Sequence, residues 1–433
     1  MIATPNQSQE ARPRLAGKRI GAVLYSGYPF DPRPRRAAEA LAREGADVEV
    51  ICLRETDDQP VHEVFNGVHV IRVPLKRRRA GKLSYLIQYG VFILLAGAIL
   101  TRRTIQQRFD LVHVHNMPDV LVFSALIPKL FGSRVILDLH DPMPELMMSI
   151  FGLQEKSYAV RLLQMLEKLS LRFADAALTV NEACRKIFVS RSCAPEKMTV
   201  VMNSPDEEIF RFQEASIPAV VQPDVSKPFI VMYHGSLVER HGLDLAVQAL
   251  IKVRNSVPSA ELRIFGHSTP FLEQVLQSVN GLGPNKEAIR YLGPKNLEQI
   301  AFEISQCDVG VIPNRKSIFT QLNTPTRIFE FLSQGKPVVV PRTSGILDYF
   351  GAEELVLFEL GDAEDLAAKI EYVFWHRAKL ALMVERAQGV YQAHKWSTER
   401  THFLSLVEAL LTAPRNSTSQ VQERSLALLD SKK

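Results

Sequence analysis

The sequence predicts an α/β protein of two successive doubly wound, Rossmann-like lobes with a cleft between them. Three observations carry that expectation. The chain has 433 residues, too many for one ordinary core and suited to two lobes of roughly 200 residues each. Short β-branched runs alternate with helical stretches in two separate series, the order expected of parallel sheets with crossover helices. A Pro-, Ser- and Ala-rich stretch between Arg211 and Lys227, QEASIPAVVQPDVSKP, parts the two series.

The first series opens on the apolar strand KRIGAVLYS and a Gly- and Pro-containing loop. RRAAEALAREG reads as a helix stopped at Gly45, and DVEVICL as the next strand. DLVHVHN, the helical VLVFSALIPKLFG and the strand SRVILDLHD follow. A helix near Ala159 to Phe173, the strand AALTV and MTVVMNSPD complete this lobe. The second series restarts with PFIVMYHGS, a helix in LDLAVQALIKVRN and AELRIFG. AIRYLG and CDVGVIP are further strands, and the helix TRIFEFLSQG runs straight into the strand KPVVVP. HKWSTERTHFLSLVEALL is an amphipathic helix. The expected organisation is a leader at 1–17, a first lobe at 18–210, a linker at 211–227, a second lobe at 228–390, a terminal helix at 391–413 and a tail at 414–433.

Composition narrows the class. Apolar residues make up 46% and charged residues 23%, which is the balance of a soluble globular chain. Cys52, Cys184, Cys193 and Cys307 lack metal-ligand or disulfide spacing, which points to a reducing, cytoplasmic compartment. The polar opening residues lack the apolar core of a signal peptide. The net charge of +5 includes the run Lys76-Arg77-Arg78-Arg79, followed by the apolar stretch from Leu83 to Leu100. Residues 76–100 fit contact with an anionic membrane face, a peripheral attachment on its cytoplasmic side; the alternative is a core helix beside solvated arginines. The basic residues form no aromatic-laced stripe, so no nucleic-acid partner is expected.

The segment Asn323 to Pro341, NTPTRIFEFLSQGKPVVVP, is the most informative. Glu330 lies on its helix, and a carboxylate there can accept both hydrogen bonds of a ribose diol; the plainer alternative is a solvated helix carboxylate. Asn323, Thr324 and Thr326 precede the helix and can offer hydroxyls and amides to a phosphate. Arg327 is the nearest fixed positive charge for a departing diphosphate, or else an ordinary surface arginine. In HGSLVERHG, Gly235 begins a turn where Ser236, Arg240 and His241 can meet a diphosphate; Gly266 ends the next strand where a base can approach. In the first lobe His140, flanked by Asp138 and Asp141, stands beyond a strand directed at the cleft, placed to contact a sugar hydroxyl or to remain a plain loop histidine. Asp31, Arg33, Arg35 and Arg36 in the first loop can grip a phosphorylated acceptor, arginine having the fork geometry for phosphate; the alternative is a basic helix start. Glu145 in DPMPELM is a further candidate at the same mouth. His113 and His115 share a strand face, but without nearby cysteine or carboxylate in their own segment no metal site is expected.

Together these segments resemble the GT4 family of retaining, GT-B-fold glycosyltransferases, over about Lys18 to Leu410. The likeness is carried most specifically by the second-lobe order of glycine turn, LRIFG, CDVGVIP, the Glu330 helix and GKPVVVP, and also by DPRPRRAAEALAREGADVEVIC. It implies a UDP-, GDP- or related nucleotide sugar in the second lobe, an acceptor in the first, a terminal helix crossing back to the first lobe, and no metal or other cofactor. By position, Glu330 holds the donor ribose, Arg327 sits by the diphosphate and His140 contacts the transferred sugar. The acceptor suggested by family habit is a lipid-linked or polysaccharide precursor. Two departures stand out. The family's earlier glutamate of the pair spanning this helix is Leu322 here, with Asn323 beside it, and its glycine-turn Arg and Lys are Ser236 and His241. A sugar-nucleotide epimerase of the same fold and a non-catalytic scaffold or sugar-binding subunit stay open as alternatives.

Overall fold

Two runs of Val-, Ile- and Leu-rich segments become two mainly parallel sheets, because their central strands are covered by helices on both faces and need no polar side. The computed structural model describes residues 13–75, 82–215, 224–281 and 283–414. Most of the expected leader (1–12), the basic run Lys76 to Arg79, linker residues 216–223 and the tail from 415 lie outside the described residues.

The first sheet contains β1 (Arg19–Gly27), β2 (Asp47–Leu53), β3 (His62–Phe65), β4 (Val68–Val73), β5 (Leu111–His115), β6 (Arg134–Leu139), β7 (Ala176–Thr179) and β8 (Met198–Val200). Their spatial order is β3-β4-β2-β1-β5-β6-β7-β8, parallel throughout except for β3. The second sheet contains β9 (Phe229–His234), β10 (Ala260–Phe265), β11 (Ile289–Tyr291), β12 (Val309–Val311), β13 (Val338–Pro341) and β14 (Val356–Phe358). Its order is β11-β10-β9-β12-β13-β14, all parallel. In each sheet the first strand sits inside, with the chain winding one way and then the other. The carboxyl ends of β1/β5 and β9/β12 are therefore the switch points where an open sheet leaves a crevice.

Three strands fall outside the expected set. β3 and β4 form a hairpin around Asn66-Gly67, both with positive φ (49° and 78°), as a two-residue hairpin turn requires. β14 has three residues and offers little periodicity to read. The expected helix VLVFSALIPKLFG is divided into a tight 3₁₀ turn, Asp119–Ala125, and a short helix, Leu126–Leu130. Pro128 is tolerated only in the first turn of a helix, so a new helix begins just before it.

One face of the first sheet packs Ala37, Ala38 and Leu41 of the helix Pro32–Arg43 beside Phe403, Val407 and Leu410 of the C-terminal helix Trp396–Thr412. The chain thus returns to its first lobe. The buried Glu399 fixes that return by accepting the Met202 amide at 2.9 Å. The opposite face is covered by Phe92, Ala96 and Leu100 of Lys82–Gln106, by Leu121, Val122 and Ala125, and by Leu171 of Tyr158–Phe173. The lobes also touch directly. Leu322 packs into this first-lobe cluster, and the Asn181 amide donates to the Leu322 carbonyl at 2.8 Å. Nearby, Lys186 pairs with Asp348.

Candidate active site

The second-lobe wall is built by β9, the glycine turn and the helix Thr326–Ser333. The Gly266 φ is +155°, and a Cβ there would meet the Gly235 carbonyl at 2.3 Å. Glycine at 266 lets the ends of β9 and β10 close up, a different reason from an open approach for a base. The Gly266 carbonyl is itself taken by the Tyr291 hydroxyl at 2.9 Å. Gly235 faces outward, and Arg327 lies directly behind it, 3.4 Å from where a Cβ would stand. Arg327 is fixed by stacking on Tyr233, 5.0 Å to the ring centroid, and by donating to the His234 carbonyl at 2.6 Å.

Glu330 points from the same helix toward β9. His234 Nε2 lies 3.3 Å from its carboxylate without the alignment of a hydrogen bond. Burial pushes the Glu330 carboxyl up to about 7, against the opposing pull of Arg327 and then Arg36. The same burial, followed by Arg327, lowers His234 to about 3, leaving it neutral. Among the described residues no group donates a hydrogen bond to the Glu330 carboxylate.

In the turn itself Ser236 is exposed, while its carbonyl is held by the Tyr233 hydroxyl at 2.8 Å and by His241 Nδ1 at 2.9 Å. Burial, then the charge on Arg327, lowers His241 to about 3. His241 is a neutral donor rather than a cation at working pH. The positive charge expected of the turn comes from Arg240, whose buried Nε has no partner among the described residues. Its guanidinium acts across the cleft on Asp141, which burial raises to about 6 and Arg240 pulls back. Asn323 follows the short helix Ile318–Leu322, half-buried, and Thr326 opens the Glu330 helix. Thr324 is directed elsewhere: its buried hydroxyl donates to the Gly345 carbonyl at 2.7 Å and accepts from Asn181 at 3.2 Å. It ties the loop down and has no hydroxyl left for a phosphate.

The first-lobe wall comes from the ends of β1, β5 and β6. Asp31 accepts from Ser26 Oγ at 3.0 Å. Arg36, over the Trp396 ring at 5.2 Å, lies within electrostatic reach of Glu330; burial lowers it to about 10, leaving it charged. Arg35 turns aside to Glu39 at 2.9 Å and to the Phe65 ring. Two expected acceptor residues are corrected outright. Arg33 is buried, with Nε 3.0 Å from both Asp138 oxygens and Nη1 donating to the Val201 carbonyl at 2.7 Å. Glu145 is buried too, gripped by Arg191 at 2.5 and 3.0 Å, with Glu167 on the same guanidinium. A buried charge needs its partner, and these side chains serve each other rather than a ligand.

His140 stands at the carboxyl end of β6, its backbone N–H donating to Asn116 at 2.8 Å. Its Nε2 meets His115 Nδ1 at 3.1 Å. His113 and His115 both approach one oxygen of Asp138, at 3.5 and 3.4 Å. Although burial alone would raise Asp138, Arg33 and the two adjacent histidines hold it well below the usual carboxylate range. Burial lowers His115 far below its ordinary value, and lowers His140 as well. The ligand atoms of His113, His115 and Asp138 lie within 4.8 Å of one another, close enough to hold a metal ion. The Arg33 guanidinium on the same carboxylate opposes that use, since a bound cation would face a fixed positive charge. Asn181 is a structural partner of the site that no sequence motif singled out, whereas Asp138 and His115 were read only as a flanking carboxylate and a strand-face histidine.

Known families and folds match this chain. A profile for a glycosyl transferase 4-like domain matches residues 31–204, and one for glycosyl transferases group 1 matches 228–374, together about three quarters of the chain. A Pseudomonas aeruginosa protein described as "Probable glycosyltransferase WbjE" is 21% identical over 241 residues, covering 55% of this chain and 59% of that relative. Among solved structures, sucrose-phosphate synthase of Thermosynechococcus elongatus superimposes with a TM-score of 0.71 at 16% identity, over 92% of this chain and 100% of that one. Anabaena HepE in complex with UDP and glucose gives 0.62 at 16% identity, over 96% and 100%. At such identity these two likenesses speak for the fold. Two matched profiles in the right order, on two Rossmann-like lobes that face each other across a cleft, show that the chain belongs to the group 1, GT4-like superfamily of GT-B-fold glycosyltransferases.

Proposed function

We propose that this chain is a retaining glycosyltransferase that moves a sugar from a nucleoside-diphosphate donor to a lipid-linked or polysaccharide-precursor acceptor, without a metal, on the cytoplasmic face of a membrane. The second lobe (228–390) takes the donor and the first (18–210) the acceptor. The observation that carries this reading is the Glu330 carboxylate, half-buried beside β9 and without a hydrogen-bond donor among the described residues. A ribose diol supplies the two donors that such a carboxylate lacks. UDP sugars are the first donors to test, since HepE was solved with UDP and glucose.

In this mechanism Arg327, steadied by Tyr233 and the His234 carbonyl, faces the departing diphosphate, with Arg240, Ser236 and the neutral His241 along the turn. Loss of the diphosphate leaves oxocarbenium-like character on the sugar carbon. His140, held by His115 and Asn116, contacts a hydroxyl of the sugar. The acceptor hydroxyl attacks from the face the diphosphate leaves, and the leaving phosphate takes its proton. Asp31 and Arg36 orient the acceptor. Purified protein given a UDP sugar and a membrane lipid extract is expected to release UDP only when both are present, with the product anomer matching the donor. Release of UDP with inverted product, or no release with any nucleotide sugar, would sink the proposal.

A further inference from the structure

The helix Lys82–Gln106 is long and apolar enough to cross a bilayer, its apolar window running Leu86–Gln106. Yet Phe92, Ala96 and Leu100 are fully buried against the first sheet, so the helix lies along the lobe. Its other side is bare: Leu86, Leu94 and Leu95 are exposed, Leu94 at 74%. The neighbouring segment continues the bare surface with Leu126, Leu130 and Phe131, Leu130 at 73%. The helix Tyr158–Phe173, packed against the same layer, adds Leu162, Met165 and Leu169. Apolar residues so disposed on three adjacent segments exceed what scattered surface residues account for.

Charge identifies what covers this face. Lys82–Gln106 carries no acidic residue, and the acids of the other segments, Asp119 and Glu167, are buried. Arg102, Arg161, Lys168 and Arg172 are exposed, and none has an ion-pair partner among the described residues. A face that is apolar with outward basic groups and inward acids repels a second copy of itself. It complements an apolar interior beneath anionic headgroups. We propose that this helical layer is a docking surface for an anionic phospholipid bilayer, on which the first lobe lies with its helices in the interface plane. Lys82–Gln106 and Tyr158–Phe173 both begin on the carboxyl side of the sheet, so a docked bilayer meets the rim of the cleft.

The test is sedimentation of the full chain with phosphatidylcholine vesicles, with and without phosphatidylglycerol. Wild type is expected to pellet with the anionic vesicles and far less with the neutral ones. Leu94→Gln/Leu130→Gln, both at exposed positions, is expected to weaken partitioning by about tenfold or more while circular dichroism stays unchanged. Arg161→Glu/Lys168→Glu is expected to remove the anionic preference. Failure of wild type to bind anionic vesicles, or variants that bind as wild type does, would overturn the proposal. So would a wild-type dimer in sedimentation velocity that the leucine variant dissociates, since a second copy would then be the occupant. Vesicle binding needs no substrate and is expected to survive Glu330→Ala, so its failure and a failure of the transferase reading are separable.

Discussion

Glu330 is the residue whose environment does most to define the site. Its carboxyl is raised to about 7 by burial, whereas a diol binds the ionised form. Binding therefore favours deprotonation: donor affinity is full well above pH 7 and falls as pH drops through that value. His234 and His241, both lowered to about 3, stay neutral across this window; Asp141, at about 6, adds a separate step below it. Titration of a nucleotide sugar from pH 5.5 to 8.5 is expected to show the step near 7 in wild type. Glu330→Gln should bind weakly throughout and lose it. A step that persists in the Gln variant would assign the titration to another group. The sequence pointed to Glu330 through its place on an apolar helix, and offered Arg33 and Glu145 as further candidates on the first lobe. Only the fold brings Asp138 to the first and Arg191 to the second, because those pairs join residues far apart in the chain.

At the scale of elements, the terminal helix Trp396–Thr412 is part of the first lobe's core although it follows the second lobe in sequence. Its amphipathic pattern was legible; its anchor was not. Glu399 accepts the Met202 amide and meets His394 Nδ1 at 2.9 Å, while only 2% exposed. Glu399→Ala leaves a buried amide unmatched and is expected to lower stability by about 1–3 kcal/mol. Denaturant melts would read this as a lower midpoint with little change in slope; an unchanged midpoint would mean the helix is held by its apolar face alone. The hairpin of β3 and β4 carried a readable Asn66-Gly67 signal, whereas the 3₁₀ turn before Leu126 depended on where Pro128 could be accommodated.

For the whole molecule, two parallel sheets direct their switch points at one cleft, and the direct contacts through Asn181, Leu322 and Lys186 hold the lobes together along one edge. The two-lobe plan was legible because local periodicity dictates it. The interlobe contacts were not, since a leucine at 322 reads as core without saying whose core. Glu330 is proposed to hold the nucleotide sugar in the second lobe. Calorimetric titration of the full chain with UDP, GDP, ADP and dTDP sugars, against a Glu330→Ala control of unchanged fold, tests it most directly. One preferred nucleotide is expected to bind wild type and to be weakened by about 1.5–3 kcal/mol in the variant, the range for a hydrogen bond to a charged group. Equal binding by the two proteins, or no binding of any donor, would contradict it.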